Sequence, residues 1–246
     1  MQRIAAAFIG LGFCLGVSPV SAQTFLGRLG GNCMTLPANH QQMIALNSAI
    51  AAGSTLVVTV AASSAFVSGL EIDDVKGNNY QALGGIAQNT TGALVHFRSA
   101  LQRGLEAGDV LMLSYESVGN AVDSCVSMLG YSGIPFGNVV QESLGATSGQ
   151  SNTPSVTANS QGSGSRSLVL AAFATDADPG TVTAQAPASA LPTLCSPGGS
   201  LCLVDAQHFD NPSSVESIGL TTSNSTHWSA ALTQLQADGI FGNGFD

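Results

Sequence analysis

The stretch Gly53–Tyr80, GSTLVVTVAASSAFVSGLEIDDVKGNNY, constrains the fold more than any other part of the chain. Ser54–Ala61 carries Leu56, Val57, Val58 and Val60, and Val67–Ile72 is a second β-prone run. Asp73-Asp74-Val75-Lys76-Gly77-Asn78-Asn79 then turns the chain into Tyr80. β-Branched residues suit a pleated surface, whereas Asp, Asn and Gly accept the left-handed conformations of tight turns. The same grammar repeats downstream. Leu94–Phe97, the run DVLMLSYES from Asp109, Ala121–Tyr131, Val139–Leu144 and Thr153–Thr157 follow, the last an edge-strand candidate because Pro154 lies in it. Ser165–Thr175, Thr181–Ala184, Ser200–Phe209, Val215–Thr222 and His227–Leu235 complete the series. About eleven or twelve short strands with regular turns, and no βαβ alternation, predict an all-β antiparallel sandwich, jelly-roll or immunoglobulin-like.

Two segments depart from this grammar. Gln23–Pro37 reads as irregular, its period broken by Gly27, Gly30 and Gly31. Ala38–Ala52 is the one short N-terminal helix candidate, ended by Gly53, with a strand and turn as the other reading. The expected organisation is a targeting segment over 1–22, a segment over 23–51 packed on the sandwich, a sandwich domain over 52–236 and a tail over 237–246. GSTLVVTVA (Gly53–Ala61) echoes GSRSLVLAAFA (Gly164–Ala174), as two Greek-key halves or shared composition would produce.

The N-terminus predicts export. Arg3 precedes the apolar run Ile4–Val17, and Val20-Ser21-Ala22 is a small-residue cleavage site. The run is shorter than the roughly 20 residues of a membrane span, and no later stretch stays apolar long enough to cross. Phe13 before Cys14 is too bulky for a lipoprotein signal. A secreted, periplasmic or outer-surface location follows, with cleavage after Ala22. Residues 23–246 then carry five basic against fifteen acidic side chains, which disfavours a nucleic-acid partner. Cys33, Cys125, Cys195 and Cys202 make an even count behind a signal peptide, a pattern that favours disulfides. Cys195 and Cys202 flank Ser-Pro-Gly-Gly-Ser-Leu, a loop with its own turn signal, so they pair locally, and Cys33 pairs with Cys125 by elimination.

The order of motifs resembles a β-sandwich module of bacterial secreted and phage-associated proteins. The matching residues are Ala52–Ala61, Val67–Asp73, Gly77–Tyr80, Leu105–Asp109, Tyr131-Ser132-Gly133, Thr153–Thr157, Ser167–Ala172 and Trp228–Leu232. The resemblance spans Ala52 to Leu235, rests on loose motifs and includes no catalytic one. It implies a jelly-roll or immunoglobulin-like sandwich, in modules that mostly lack an assigned activity. The Cys195–Cys202 loop and the N-terminal segment depart from it. The tail DGIFGNGFD, with Ile240, Phe241, Gly244 and Phe245, resembles an ending of exported Gram-negative proteins and implies an export or surface-sorting signal, the alternative being an ordinary chain end.

Residues suited to chemistry are sparse. Gly130-Tyr131-Ser132-Gly133 looks like a nucleophile elbow, but Ile134 stands where G-x-S-x-G needs the second glycine, so Ser132 reads as a strand end. His40, His96, His208 and His227 show no zinc-ligand spacing. His208-Phe209-Asp210 and His227-Trp228 are ligand-binding candidates if they converge, and surface strand residues otherwise. Asp73, Asp74, Asn78 and Asn79 around Gly77 form an oxygen-rich turn that calcium could use, with Asp176, Asp178 and Gly180 a weaker second; ordinary turn chemistry selects the same residue types. Glu71 and Glu116 are the acids a glycosidase reading would draw on. Trp228, the sole tryptophan, is either a platform for a sugar ring or part of the core. These features favour a non-catalytic binding module for carbohydrate or a cell-surface component. The alternatives are a polysaccharide hydrolase or lyase, and a structural envelope or appendage protein.

Overall fold

The computed structural model describes residues 23–36, 41–63, 69–89, 92–115, 122–134, 141–159, 167–210 and 215–236. The expected signal peptide and tail motif, His40, Glu116 and parts of several loops lie outside these residues. The first part of the chain forms β1 (Thr24–Leu36), β2 (Gln41–Ala45), β3 (Thr55–Ala62), β4 (Glu71–Asp74), β5 (Gln81–Asn89), β6 (Gly92–Ala100), β7 (Val110–Ser114) and β8 (Val122–Ser132). The second forms β9 (Gln141–Ser151), β10 (Ser155–Asn159), β11 (Ser167–Thr175), β12 (Val182–Ala184), β13 (Ser189–Ala190), β14 (Leu194–Cys195), β15 (Cys202–Asp210), β16 (Val215–Thr222) and β17 (Thr226–Gln236). The protein is all-β and antiparallel, with no helix among the described residues long and apolar enough to cross a membrane.

Every residue of β3 is buried, and so is every residue of β11. A strand alternates its side chains between two faces, so each of these strands must have a core on both sides. The strand order supplies them. The first half builds a five-stranded sheet, β1-β8-β3-β6-β5, and a three-stranded sheet, β2-β7-β4. The second builds β13-β15-β11-β17-β9, with β14 also on β15, and β10-β16-β12. Matched in chain order, β1 to β4 correspond to β9 to β12, β5 to β13, and β6, β7 and β8 to β15, β16 and β17. Among the described strands, β14 is the one insertion. Each half thus has jelly-roll order, 1-8-3-6 against 2-7-4, with the fifth strand kept on the sixth in the larger sheet.

Leu56, Val58, Val60 and Ala62 of β3 pack inside the first sandwich with Leu29, Ile44, Phe97 and Met128. Val169, Ala171 and Phe173 of β11 pack inside the second with Val204, Ile218 and Leu232. The alternate residues meet between the halves. Ala61 and Cys125 pack with Ala172, Ala174 and Leu203, while Val57, Leu129 and Tyr131 pack with Leu168, Leu170 and Leu235. The two large sheets therefore lie face to face, and the expected sandwich is a pair stacked in four layers. The faint echo at Gly53 and Gly164 marks the matched central strands: aligning Ala61 with Ala174 keeps every inward and outward position in phase.

Three readings of the sequence change. Within the segment expected to be irregular, Thr24–Leu36 is a long strand, with register shifts beside Gly27 and Gly30. Its glycines serve close packing, since a Cβ on Gly30 would lie 2.8 Å from the Ala45 carbonyl oxygen and one on Gly31 2.8 Å from Leu194 Cδ1. The helix candidate contains β2 instead, because Gln42 and Ile44 alternate inward while Met43 stays exposed. The 23–51 segment is thus built into the first sandwich rather than packed onto it. Leu83–Asn89, whose glycines and polar residues give no strand signal, belongs to β5. Both predicted disulfides are present, Cys33 to Cys125 across β1 and β8, and Cys195 to Cys202 across β14 and β15.

A polar row divides the apolar contact between halves. Ser127, Thr59 and His96 lie side by side on β8, β3 and β6. Asp205 of β15 and Thr233 of β17 face them from the other half. Arg28 donates to Ser127 Oγ (2.9 Å), to the Pro192 carbonyl (2.6 Å) and to Asp205 Oδ2 (3.1 Å). His96 Nδ1 lies 2.7 Å from Thr233 Oγ1. Burial pushes His96 down to about 4, against the opposing pull of the Asp205 charge. The unfolded chain therefore takes up a proton below pH about 6.5 that the folded chain refuses until near pH 4. Stability is unaffected by this group above pH 6.5 and falls across that window by about 3 kcal/mol. An NMR titration of the imidazole nitrogens checks this: His96 stays neutral at pH 5, and protonation near 6.5 would refute the assignment.

Candidate functional site

The interior of a sandwich is normally apolar, and the second one departs from that at one end. His208 of β15 and Gln234 of β17 flank Val169 of β11 on its inward face. Glu216 of β16 reaches in from the opposite sheet, where it continues the inward series of Ile218 and Leu220. His208 is 8 % exposed and Glu216 3 %, with 3.7 Å between Nε2 and Oε2. Gln234 Nε2 donates to Ser167 Oγ at 2.9 Å, and both residues are fully buried. His208 Nδ1 is buried without a hydrogen-bond partner among the described residues. An imidazole, a carboxylate, a carboxamide and a hydroxyl thus share one end of the core. Together they offer donors and acceptors of the kind that bind hydroxyl groups.

The first sandwich has a buried polar group of a different kind: the Tyr115 hydroxyl donates to Gln42 Oε1 at 3.2 Å and lies 2.6 Å from Ser124 Oγ, with no imidazole or carboxylate beside them among the described residues. The residues flanking Leu56, the partner of Val169 in the matched strand, are Ser99 and Gly130. The first inward position of β7 is Leu111, where β16 has Glu216. Burying an imidazole and a carboxylate costs more than burying neutral polar groups, so a His–Glu pair found inside only one of two matched sandwiches among the described residues points to a use.

No family model matches the chain, and neither a characterised protein nor a solved structure shows significant similarity to it. The site must be read from its own chemistry.

The other sequence candidates disperse. His208 and His227 do not converge, because His208 pairs with Val169 near the start of β11 while His227 lies beyond its end at Thr175. His208 is also buried rather than on the sheet surface. His227 is exposed and bonded to Asp176, with Nδ1 2.8 Å from Oδ2. Asp210 ends β15 opposite Ser167. Trp228 is part of the core: it packs on Phe173 and over Gly149, and its Nε1 donates to Ser151 Oγ at 3.2 Å. A sugar platform needs an exposed ring face, and this one is covered. Ser132 ends β8 before Gly133, which has a positive φ of 73°. Glu71 is exposed on β4.

In the oxygen-rich turn, Asp74 accepts from the backbone N–H groups of Lys76 (2.8 Å) and Asn78 (3.2 Å) through Oδ1. Its Oδ2 accepts from Asn78 Nδ2 (2.9 Å) and the Tyr80 hydroxyl (2.7 Å). Burial raises the Asp74 pKa, but these hydrogen bonds outweigh it and hold the carboxyl below its usual value. Asn78 Oδ1 accepts from the Arg103 N–H (3.0 Å), which ties the turn to the loop after β6. Both residues are thus engaged by protein donors, while Asp73 and Asn79 are exposed. In the second acidic turn, Asp178 Oδ1 accepts from the Gly180 N–H at 2.8 Å. Asp178 also lies near the sulfurs of Cys195 and Cys202, which are bonded to each other.

Sequence reasoning missed Glu216, Gln234 and Ser167. A signal for Glu216 was present, because the alternation Glu216, Ile218, Leu220 puts a glutamate in phase with two core residues. Asp205 was marked in the same way, as a carboxylate in the middle of the β-prone run Cys202–His208, all of which is buried.

Proposed function

We propose that the protein is a secreted or surface-exposed binding module that reads a carbohydrate or another polyhydroxylated cell-surface component. The ligand is taken by His208 and Glu216, with Gln234 and Ser167 behind them. The observation carrying this reading is the buried polar cluster at one end of the second sandwich, at positions where the first has Leu111, Ser99 and Gly130. Two disulfides and a low content of charged residues suit an oxidising, extracytoplasmic setting.

The test is binding of the chain from residue 23 to an array of glycans and cell-wall polysaccharides, in calcium and in chelator. E216Q and H208A are each expected to weaken a hit about tenfold or more, the usual cost of a lost hydrogen bond to a charged group. Retention of the hit after chelation assigns recognition to these side chains rather than to calcium at Asp73 and Asn79. Full binding by both folded variants, or an array without hits, would refute the proposal.

A further inference from the structure

The polar row between the two sandwiches contains more hydrogen-bonding capacity than the protein uses. Thr59 Oγ1, His96 Nε2 and Asp205 Oδ1 are all buried, and none has a protein partner among the described residues. These groups sit close together in the fold. Thr59 and His96 are direct cross-strand partners on β3 and β6. Ser127 is the partner of Thr59 on its other side, and Arg28 spans from Ser127 to Asp205. Asp205 is near enough to His96 for its charge to act on the ring.

The row separates two apolar patches. Along β3, Val57 belongs to one patch and Ala61 to the other, with Thr59 between them. On β17 the same order is Leu235, Thr233 and Ala231, and on β8 Leu129, Ser127 and Cys125. Three unsatisfied polar atoms in one such layer would each forfeit the hydrogen bonds they make to water in the unfolded chain. Native proteins rarely leave such groups dry.

We propose that the two sandwiches enclose a closed solvent site, in which ordered water bridges Thr59 Oγ1, His96 Nε2 and Asp205 Oδ1. The donors and acceptors balance. The Thr59 hydroxyl donates to water, as does His96 when Nε2 carries the proton of the neutral ring, and water donates to the free oxygen of Asp205. Three partners is the usual number for a buried water. The site is separate from the His208 cluster, which lies inside the second sandwich, and it holds whether or not that cluster binds a ligand.

Two measurements on the chain from residue 23 decide it. A crystal structure at a resolution that orders solvent is expected to show water about 3 Å from Thr59 Oγ1 and Asp205 Oδ1. T59V removes one partner while keeping the side-chain shape. With water present it lowers the folding equilibrium constant roughly fivefold, the scale of one net hydrogen bond. In a dry layer the same change removes an unsatisfied hydroxyl and leaves stability equal or higher. T59S, which keeps the hydroxyl, is expected to keep the water peak and guards against a variant that fails to fold. A seam without solvent density, or a T59V protein as stable as the parent, would overturn the proposal.

Discussion

Replacing Asp205 with alanine is expected to destabilise the protein by about 3–5 kcal/mol, the scale for removing one member of a buried ion pair. Asp205 is fully buried, and its salt bridge to Arg28 at 3.1 Å crosses from the second sandwich to the first. Without the carboxylate, the Arg28 guanidinium stays largely enclosed and keeps only Ser127 Oγ and the Pro192 carbonyl. The damage comes from the stranded charge, not from the loss of a strong bond. The double variant R28M/D205L should therefore recover much of the loss, since apolar residues of similar volume often replace a buried pair at little cost. Denaturant midpoints of parent, single and double variants measure this. A D205A loss below about 1 kcal/mol, the range of exposed pairs, would show that the pair is solvated and does not latch the halves.

Much of the fold was legible in the sequence, because a strand needs only a short run of β-prone residues and a turn to announce itself. The run TLVVTVAA was readable as a strand, and its lack of alternation was already a sign of burial on both faces. What failed had physical causes. Gln23–Pro37 carries glycines where Met128, Ala45 and Leu194 crowd the backbone, so a strand selected for thinness looked like a loop. The segment at Met43 mixed apolar and polar residues with no clean stripe, and only its pairing with β7 makes it a strand. The doubling was visible only as the echo between Gly53 and Gly164, because matched strands share a pattern of burial rather than residues. The site was legible in part. His208 was marked, but its partner Glu216 comes from a different sheet, a pairing that chain order does not show. Trp228 drew attention by chemistry alone, and Gly149 beneath its ring was the cue that it is packed.

The two disulfides are expected to differ in their worth. Cys33 and Cys125 are 92 residues apart, Cys195 and Cys202 only 7. In the chain-entropy account the longer loop corresponds to about 4–5 kcal/mol and the shorter to about 2–3. Local context widens the gap. The short loop is already closed by the pairing of β14 with β15 and by the turn at Gly199. The long one anchors β1, a glycine-rich edge strand with two register shifts. Cys125 is itself buried at the junction of the halves, 3.6 Å from the Leu201 carbonyl oxygen in the second. A disulfide sulfur has no proton to donate, so this is packing rather than a hydrogen bond, and it couples the first crosslink to the clasp formed by β14 and β15. Removing Cys33–Cys125 as a pair of alanines should therefore free β1 and loosen the contact between sandwiches together. Hydrogen exchange would then rise in β1 and at the start of β15 while the middle of β11 stays protected. The matching C195A/C202A variant should lose no more than about 2 kcal/mol and keep β1 protected. Equal losses from the two variants would mean that β1 is held by its sheet alone, and that the first jelly roll closes without its crosslink.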